Sequence, residues 1–243
     1  MTSKNYTFLT LIYPHIMRSI DYKKWADYIF SISKEVKKKN LYALELACGT
    51  GKIASKLKKK FKYFCISDLS LQMIRSAENS IDRVCCNMIQ LPFKRKFDFV
   101  YSTFDSVNYL LTKQKIISLL DEVSNCLHDD GIFTFDVSLE NNSKLYQRYL
   151  NRKGSVNDIK FIQKSHYNES KRIHFNYFEI LLANGQKVEE IHKQKIYRFE
   201  EYFEFIDHSD FYVYKCKNAF TDTDANAQSE RAQFILKKRK NKC

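Results

Sequence analysis

Apolar positions along this chain recur in short solid blocks separated by amphipathic stretches. From Ser19 or Asp21, both good helix caps, Trp25, Tyr28, Ile29, Ile32 and Val36 fall at helical spacing and end on Lys37-Lys38-Lys39, which predicts a helix over 19–39. A continuous apolar block over 41–46 then reads as a buried strand, and glycines lead into a helix over 51–60. The alternation continues with a strand over 61–67 and a helix begun by Ser70 and carried by Leu71, Met73, Ile74 and Ala77. A third strand spans 81–86, and Phe97–Tyr101 makes a fourth. Ile116, Ile117, Leu119, Leu120, Val123 and Leu127 mark a helix over 113–127, and His128-Asp129-Asp130-Gly131 turns the chain into a fifth strand over 132–137. Five apolar strands alternating with helices or crossover loops predict a doubly wound, mainly parallel α/β sheet.

After residue 138 the rhythm changes. A helical stretch over 142–150 precedes three runs of strand character at 158–167, 172–182 and 187–197, and Asn184-Gly185 between the last two is a hairpin signal. A helix near 198–208 and strands over 210–217 and 230–237 return to the first pattern. The expected architecture is a Rossmann-like, doubly wound seven-stranded sheet with an antiparallel last strand. It carries a small antiparallel β insertion and an N-terminal helical lid. The corresponding division is 1–40 for the lid, 41–138 with 198–238 for the core, and 139–197 for the insertion that covers the substrate.

The block that carries chemistry is Glu45-Leu46-Ala47-Cys48-Gly49-Thr50-Gly51, with Asp68 closing the next strand. Gly49 and Gly51 let the backbone turn sharply and approach a ligand. Asp68 can accept hydrogen bonds from both hydroxyls of a ribose, which implies an adenosine-containing cofactor. Gly49–Ala54 also fits the dinucleotide pattern G-x-G-x-x-G/A, but the carboxylate of Glu45 ahead of the turn would repel a pyrophosphate at the helix N-terminus. The same carboxylate suits S-adenosylmethionine (SAM), which has an ammonium, a sulfonium and a ribose.

Composition narrows the remaining choices. A chain of 243 residues with 44% hydrophobic and 15% aromatic residues can bury one substantial core. The formal charge of +13 admits an acidic partner such as RNA, although the lysines are spread along the chain and accompany abundant Asn, Ile and Tyr, a compositional bias. The tail Lys237-Lys238-Arg239-Lys240-Asn241-Lys242 reads as a solvated end. Seven cysteines without a C-x-x-C pair, with Cys48, Cys65, Cys85 and Cys86 in or beside core strands, read as buried thiols of a cytoplasmic protein, with no metal site. No run approaches the roughly 20 apolar residues of a membrane span. A monomer or homodimer is expected.

With its motifs in place the chain resembles the class I SAM-dependent methyltransferases. Glu45–Gly51 is similar to their first motif, with Ala47 where many have glycine. Asn87–Phe93 resembles their adenine loop, with Asn87 in the place of a more usual aspartate. Phe97–Val100 and Leu127–Val137 resemble the fourth and fifth strands, Asp129-Asp130-Gly131 replacing a Pro-Gly or Gly-Gly turn, and Ser209-Asp210-Phe211 stands where Gly-Phe is usual. Phe104–Leu110, the N-terminal segment Tyr13–Trp25 and the run Glu190–Tyr197 are similar to a bacterial subgroup related to glycine and nucleotide-sugar N-methyltransferases. The resemblance implies cofactor contacts by Glu45, Ala47, Cys48, Gly49, Gly51, Asp68, Leu69, Met73, Asn87, Met88 and Phe104, with Tyr22 and Trp25 closing over the cofactor. His192 and Tyr13 become the catalytic candidates, and His15, Asn108, Tyr109 and His174 the substrate candidates. The chain has no N-P-P-Y-type motif after its fourth strand, which favours a small-molecule acceptor, methylated on N or O, over nucleic acid. An RNA acceptor, or a non-catalytic partner subunit, is the alternative. The aromatic residues Tyr167, Phe175, Tyr177 and Phe178 belong to an apolar pocket or a dimer face.

Overall fold

The structure, a computed structural model, describes residues 6–240; Asn241 and Lys242 of the basic tail and the seventh cysteine, Cys243, lie outside them. The elements are α1 (Tyr13–Ile16), α2 (Tyr22–Ser33), β1 (Tyr42–Leu46), α3 (Lys52–Leu57), β2 (Tyr63–Asp68), α4 (Leu71–Arg75), β3 (Asp82–Cys85), β4 (Phe97–Ser102), α5 (Lys113–Cys126) and β5 (Leu127–Ser138). They continue with α6 (Glu140–Tyr149), β6 (Arg152–Val156), β7 (Ile159–Asn168), β8 (Ile173–Leu181), β9 (Lys187–Lys195), α7 (Phe199–Asp207), β10 (Phe211–Asn218) and β11 (Arg231–Lys238).

Seven strands form one sheet in the order β10-β11-β5-β4-β1-β2-β3, parallel except that β11 runs antiparallel to both neighbours. Its two faces are buried separately. Leu44, Val100, Phe133 and Phe135 pack under α5 and α7, while Ala43, Ile66, Phe99 and Tyr101 pack under α2 and α3. Burial on both faces is why these strands read as solid apolar blocks. The chain leaves β1 outward through β2 and β3 and returns to β4 on the other side of β1. That reversal opens a crevice at the carboxyl ends of β1 and β4, where α/β sheets bind ligands.

The second sheet, β6-β7-β8-β9, is antiparallel throughout. The sequence reading found three of its strands; β6 is the fourth, and lies within Arg152–Val156, where Gly154 and two charged or polar neighbours conceal it. The N-terminal segment packs on this sheet: Leu9, Ile12 and Ile16 bury against Phe161, Phe178, Ile180 and Val188. In contrast α2, which begins at Asp21 with that carboxylate accepting from the Lys24 amide, belongs to the layer on the core sheet.

Several local expectations are corrected. The turn expected at His128–Gly131 falls inside β5, where these four residues are the irregularity opposite Asp98: Leu127 pairs with Phe97 and Ile132 with Phe99, and none of the four pairs with β4. Cys85 is exposed, because β3 is an edge strand. Arg239, expected in a solvated tail, donates to the Asp210 carbonyl through its amide (2.7 Å) and to the Phe211 carbonyl and Asp207 carboxylate through its guanidinium. The aromatic set of the insertion divides between two faces: Tyr167 and Phe178 are buried, whereas Phe175 and Tyr177 stack on each other, with ring centroids 5.7 Å apart, on the outer face.

Candidate active site

A cavity of about 770 Å³ occupies the crevice. Its floor is the end of β1 and the turn that follows. There Ala47, Gly49 and Gly51 all take left-handed backbone angles (φ +51°, +55° and +67°). A side chain on Gly51 would meet the Ala77 Cβ at 2.9 Å, so this position admits only glycine. Ala47 adopts the same region at a steric cost. Ala47→Gly is therefore expected to stabilise the protein by about 0.5–1 kcal/mol, the relief of the left-handed strain less the entropy that glycine loses on folding. Thermal unfolding of the two proteins checks this.

Two carboxylates face the cavity. Glu45 is buried at the end of β1 and accepts a hydrogen bond from the hydroxyl of Tyr101 (2.9 Å), its direct cross-strand neighbour on β4. Among the described residues no cation pairs with it. Burial pushes its pKa up to about 8, against the opposing pull of the Tyr101 hydrogen bond. Asp68, at the end of β2, accepts from the amides of Gly49 (2.8 Å) and Ser70 (2.7 Å). Burial raises its pKa while those amides hold it down. One oxygen therefore fixes the glycine turn, and the remaining lone pairs can serve a diol.

Leu69, Met73, Asn87, Met88 and Ile89 complete the wall beside Asp68. The Asn87 Oδ1 accepts from the Ile89 amide (3.2 Å), which orients the side chain and leaves its amide NH2 free to donate to a base. Phe104 closes the opposite side. It and Asp105 are two successive left-handed residues (φ +58° and +49°), a strained arrangement that persists because Asp105 is anchored. Its carboxylate pairs with Arg231 on β11 (2.7 Å) and accepts from Gln194 on β9 (2.5 Å), and its amide donates to Asp136 on β5 (2.9 Å). Arg231 also pairs with Asp136.

Of the cofactor candidates, Glu45, Ala47, Cys48, Gly49, Asp68, Leu69, Met73, Asn87, Met88, Phe104 and Tyr22 line the cavity. Gly51 lies behind the turn. Trp25 is also not on the wall: it packs on Phe104 (4.5 Å between centroids) and Phe220 (4.6 Å) and supports the loop from behind. Among the catalytic and substrate candidates, Tyr13 and Tyr109 line the cavity. His192 is buried behind Tyr109 and Tyr6, its Nδ1 3.4 Å from the Tyr109 hydroxyl. The other three sit elsewhere, for separate reasons. Asn108 is a buried joint, donating to the carbonyls of Ser138 (3.1 Å) and Lys195 (2.8 Å) and accepting from the Ser138 amide (2.9 Å). His174 is buried between the insertion and α6, where Ser165 Oγ meets its Nε2 at 2.7 Å and desolvation lowers its pKa to about 4. His15 faces Arg18 and the Phe161 ring. Tyr6, which reading the sequence missed, lines the cavity beside Tyr13 and Tyr109. No periodicity marks it, since it precedes the first helix.

The donor set fits SAM. An unpaired buried carboxylate awaits a cation, a second carboxylate awaits a diol, and an apolar slot flanked by Asn87 awaits a base. A nucleoside-binding α/β protein is the class that this fold and crevice define. Comparison with known proteins narrows it. Residues 43–131 match a family described as methyltransferase domain. A Bacillus subtilis (strain 168) protein, YqeM, named provisionally as a methyltransferase, is 28% identical over 241 residues, which cover 94% of this chain and 95% of that one. A SAM-dependent methyltransferase from Clostridium acetobutylicum ATCC 824 superposes with a TM-score of 0.79 at 24% identity, over 96% of this chain and 98% of that one. The sugar N-methyltransferase KedS8 from Streptoalloteichus sp ATCC 53650 does so with a TM-score of 0.76 at 16% identity, over 99% and 96%. The chain carries a methyltransferase domain over residues 43–131 and has the fold of SAM-dependent methyltransferases. Among the described residues no helix is long and apolar enough to cross a membrane, and no cluster of side chains is arranged to hold a metal.

Proposed function

We propose that this enzyme methylates a nitrogen or oxygen of a small molecule of the amino-sugar kind. The observation that carries the reading is the closure of the cavity by its own chain. Tyr6, Tyr13 and Tyr22 from the N-terminal segment and Tyr109 from the core bound about 770 Å³ that cofactor and acceptor must share. The likeness to a sugar N-methyltransferase over nearly the whole chain supports it. We assign the reaction to the cytoplasm, where a thiol such as Cys48 on the cavity wall stays reduced.

Bound SAM supplies a methyl carbon already activated by its sulfonium, so the protein's task is positioning and exclusion of water. Glu45 would hold the ammonium, Asp68 the ribose hydroxyls and Asn87 the adenine edge, while Phe104 and the tyrosines shut out solvent.

The test is transfer of an isotope-labelled methyl group to a panel of nucleotide-linked amino sugars, simple amines, hydroxylated metabolites and total tRNA. Label in a small acceptor and none in RNA is the expected result. Label in RNA alone, with affinity falling steeply with salt, would replace this reading with one built on the net charge of +13.

A further inference from the structure

Glu190, on β9, is a buried carboxylate that meets no lysine or arginine among the described residues. It accepts from the amides of Tyr6 (2.9 Å), Phe8 and Leu9 (3.1 Å), and from Nε2 of His192 (3.2 Å). Burial alone would raise its pKa, but the His192 and amide hydrogen bonds outweigh burial and leave it below the usual carboxylate range. An ionised carboxylate only accepts, so the proton of a neutral His192 sits on Nε2 and Nδ1 is bare. The Tyr109 hydroxyl, 3.4 Å away, must then donate to Nδ1, a contact of the long kind that tightens when a site fills. The Tyr6 hydroxyl, 2.7 Å from that of Tyr109, must in turn donate to it. The lone pairs of Tyr6 are left facing the cavity, so every hydrogen bond in the row points away from the acceptor and toward Glu190.

We propose that the acceptor is an amine that enters as its ammonium, and that Tyr6, Tyr109 and His192, oriented by Glu190, carry its proton away. The inference rests on the proposed small-molecule reading and narrows it to nitrogen. The rings of Tyr6, Tyr13 and Tyr109 offer the cation three aromatic neighbours, with Tyr6 6.1 Å and 6.0 Å from the other two. An ammonium has no lone pair and cannot attack until it loses a proton. That proton passes to the Tyr6 oxygen as the Tyr6 hydrogen moves to Tyr109 and the Tyr109 hydrogen to Nδ1. Imidazolium paired with Glu190 results, and both tyrosines end neutral. The freed nitrogen pair then forms the bond to the methyl carbon, and the electrons of the broken C–S bond remain on sulfur. Tyr6 and Tyr109 are the catalytic residues; His192 and Glu190 act through them. The charged and titratable groups around this row are Glu190 on β9, Tyr6 and Tyr13 on the N-terminal segment, Asp68 on β2, and Asp105 and Tyr109 after β4; β8 contributes the Phe178 ring.

Tyr109→Phe breaks the row at a single oxygen and leaves the Glu190 contacts to the N-terminal amides intact. Its kcat is expected to fall on the order of 100-fold, and its pH–rate profile to differ from that of the wild type, with S-adenosylhomocysteine affinity unchanged. Wild-type kcat and profile in Tyr109→Phe would overturn the proposal. A second readout needs no acceptor: NMR of labelled imidazole nitrogens, with His192 assigned by its loss in His192→Gln. Nε2–H in the wild-type protein at alkaline pH and a mixed tautomer in Glu190→Gln are expected. Nδ1–H in the wild type would reverse the row and sink the relay, whatever the acceptor proves to be. Transfer to RNA alone would instead sink the small-molecule reading.

Discussion

Arg231→Met should cost about 3–5 kcal/mol of folding stability, the usual consequence of leaving buried charge unpaired. For a domain of this size that is a fall of about 10 °C in melting temperature. The arginine sits between Asp136, whose side chain is wholly buried, and Asp105, which is nearly so. Burial already pushes the Asp136 pKa up to about 6, the Arg231 charge opposing that rise. Without the guanidinium Asp136 would be driven further toward protonation. A group whose folded pKa exceeds its unfolded value is most favourable to folding at low pH, so the deficit of the variant should shrink as pH falls from neutrality toward 5. Melting curves of both proteins across that range test the point; a pH-independent deficit would contradict it. Cofactor affinity should fall too, because the strained Phe104–Asp105 turn on the cavity wall is held by this pair.

Glu45→Gln should move stability and binding in opposite directions. The wild-type carboxyl titrates near 4.5 when unfolded and near 8 in the fold. The free protein therefore loses stability as pH rises through that interval. Glutamine removes the penalty, with a gain of about 3 kcal/mol at pH 7, at roughly 1.4 kcal/mol per unit of pKa. Binding carries the reverse sign. A cationic ligand selects the ionised carboxylate, so wild-type affinity for S-adenosylhomocysteine should rise with pH through neutrality toward 8 and expel a proton on binding. The variant should bind about 100-fold more weakly, the scale of a lost charge-assisted hydrogen bond, with little pH dependence. Calorimetry in buffers of different ionisation enthalpy reads both. A variant that loses stability as well as affinity would mean that Glu45 is structural. A site that destabilises its own free protein in this way is a common trade between stability and activity.

What the sequence disclosed and what it withheld divide by range. The core strands were legible because burial on both faces makes them solid apolar blocks, and the Glu45–Gly51 turn because its backbone angles demand glycine. Ala47 was visible as an oddity and its left-handed angle gives the reason. Asp105, Asp136 and Arg231 were not legible: three charged residues scattered over more than a hundred positions meet only when β11 inserts beside β5. His174 and His192 show the same limit from the other side. Both alternate inward on the insertion strands, and nothing in their spacing distinguishes the histidine that backs the cavity from the one sealed against Ser165.

The grip of Glu190 on the amides of Tyr6, Phe8 and Leu9 also bears on the order of assembly. The partners are separated by more than 180 residues. On the ribosome the segment that holds Leu9, Ile12 and Ile16 emerges before β1, yet the sheet that receives it is made only after the whole of β1 to β5. Long-range closures of this kind come late and slowly in folding. A stretch of chain made well before its receiving sheet is thus the last to dock, and the methyl-transfer chamber is completed only once that sheet stands.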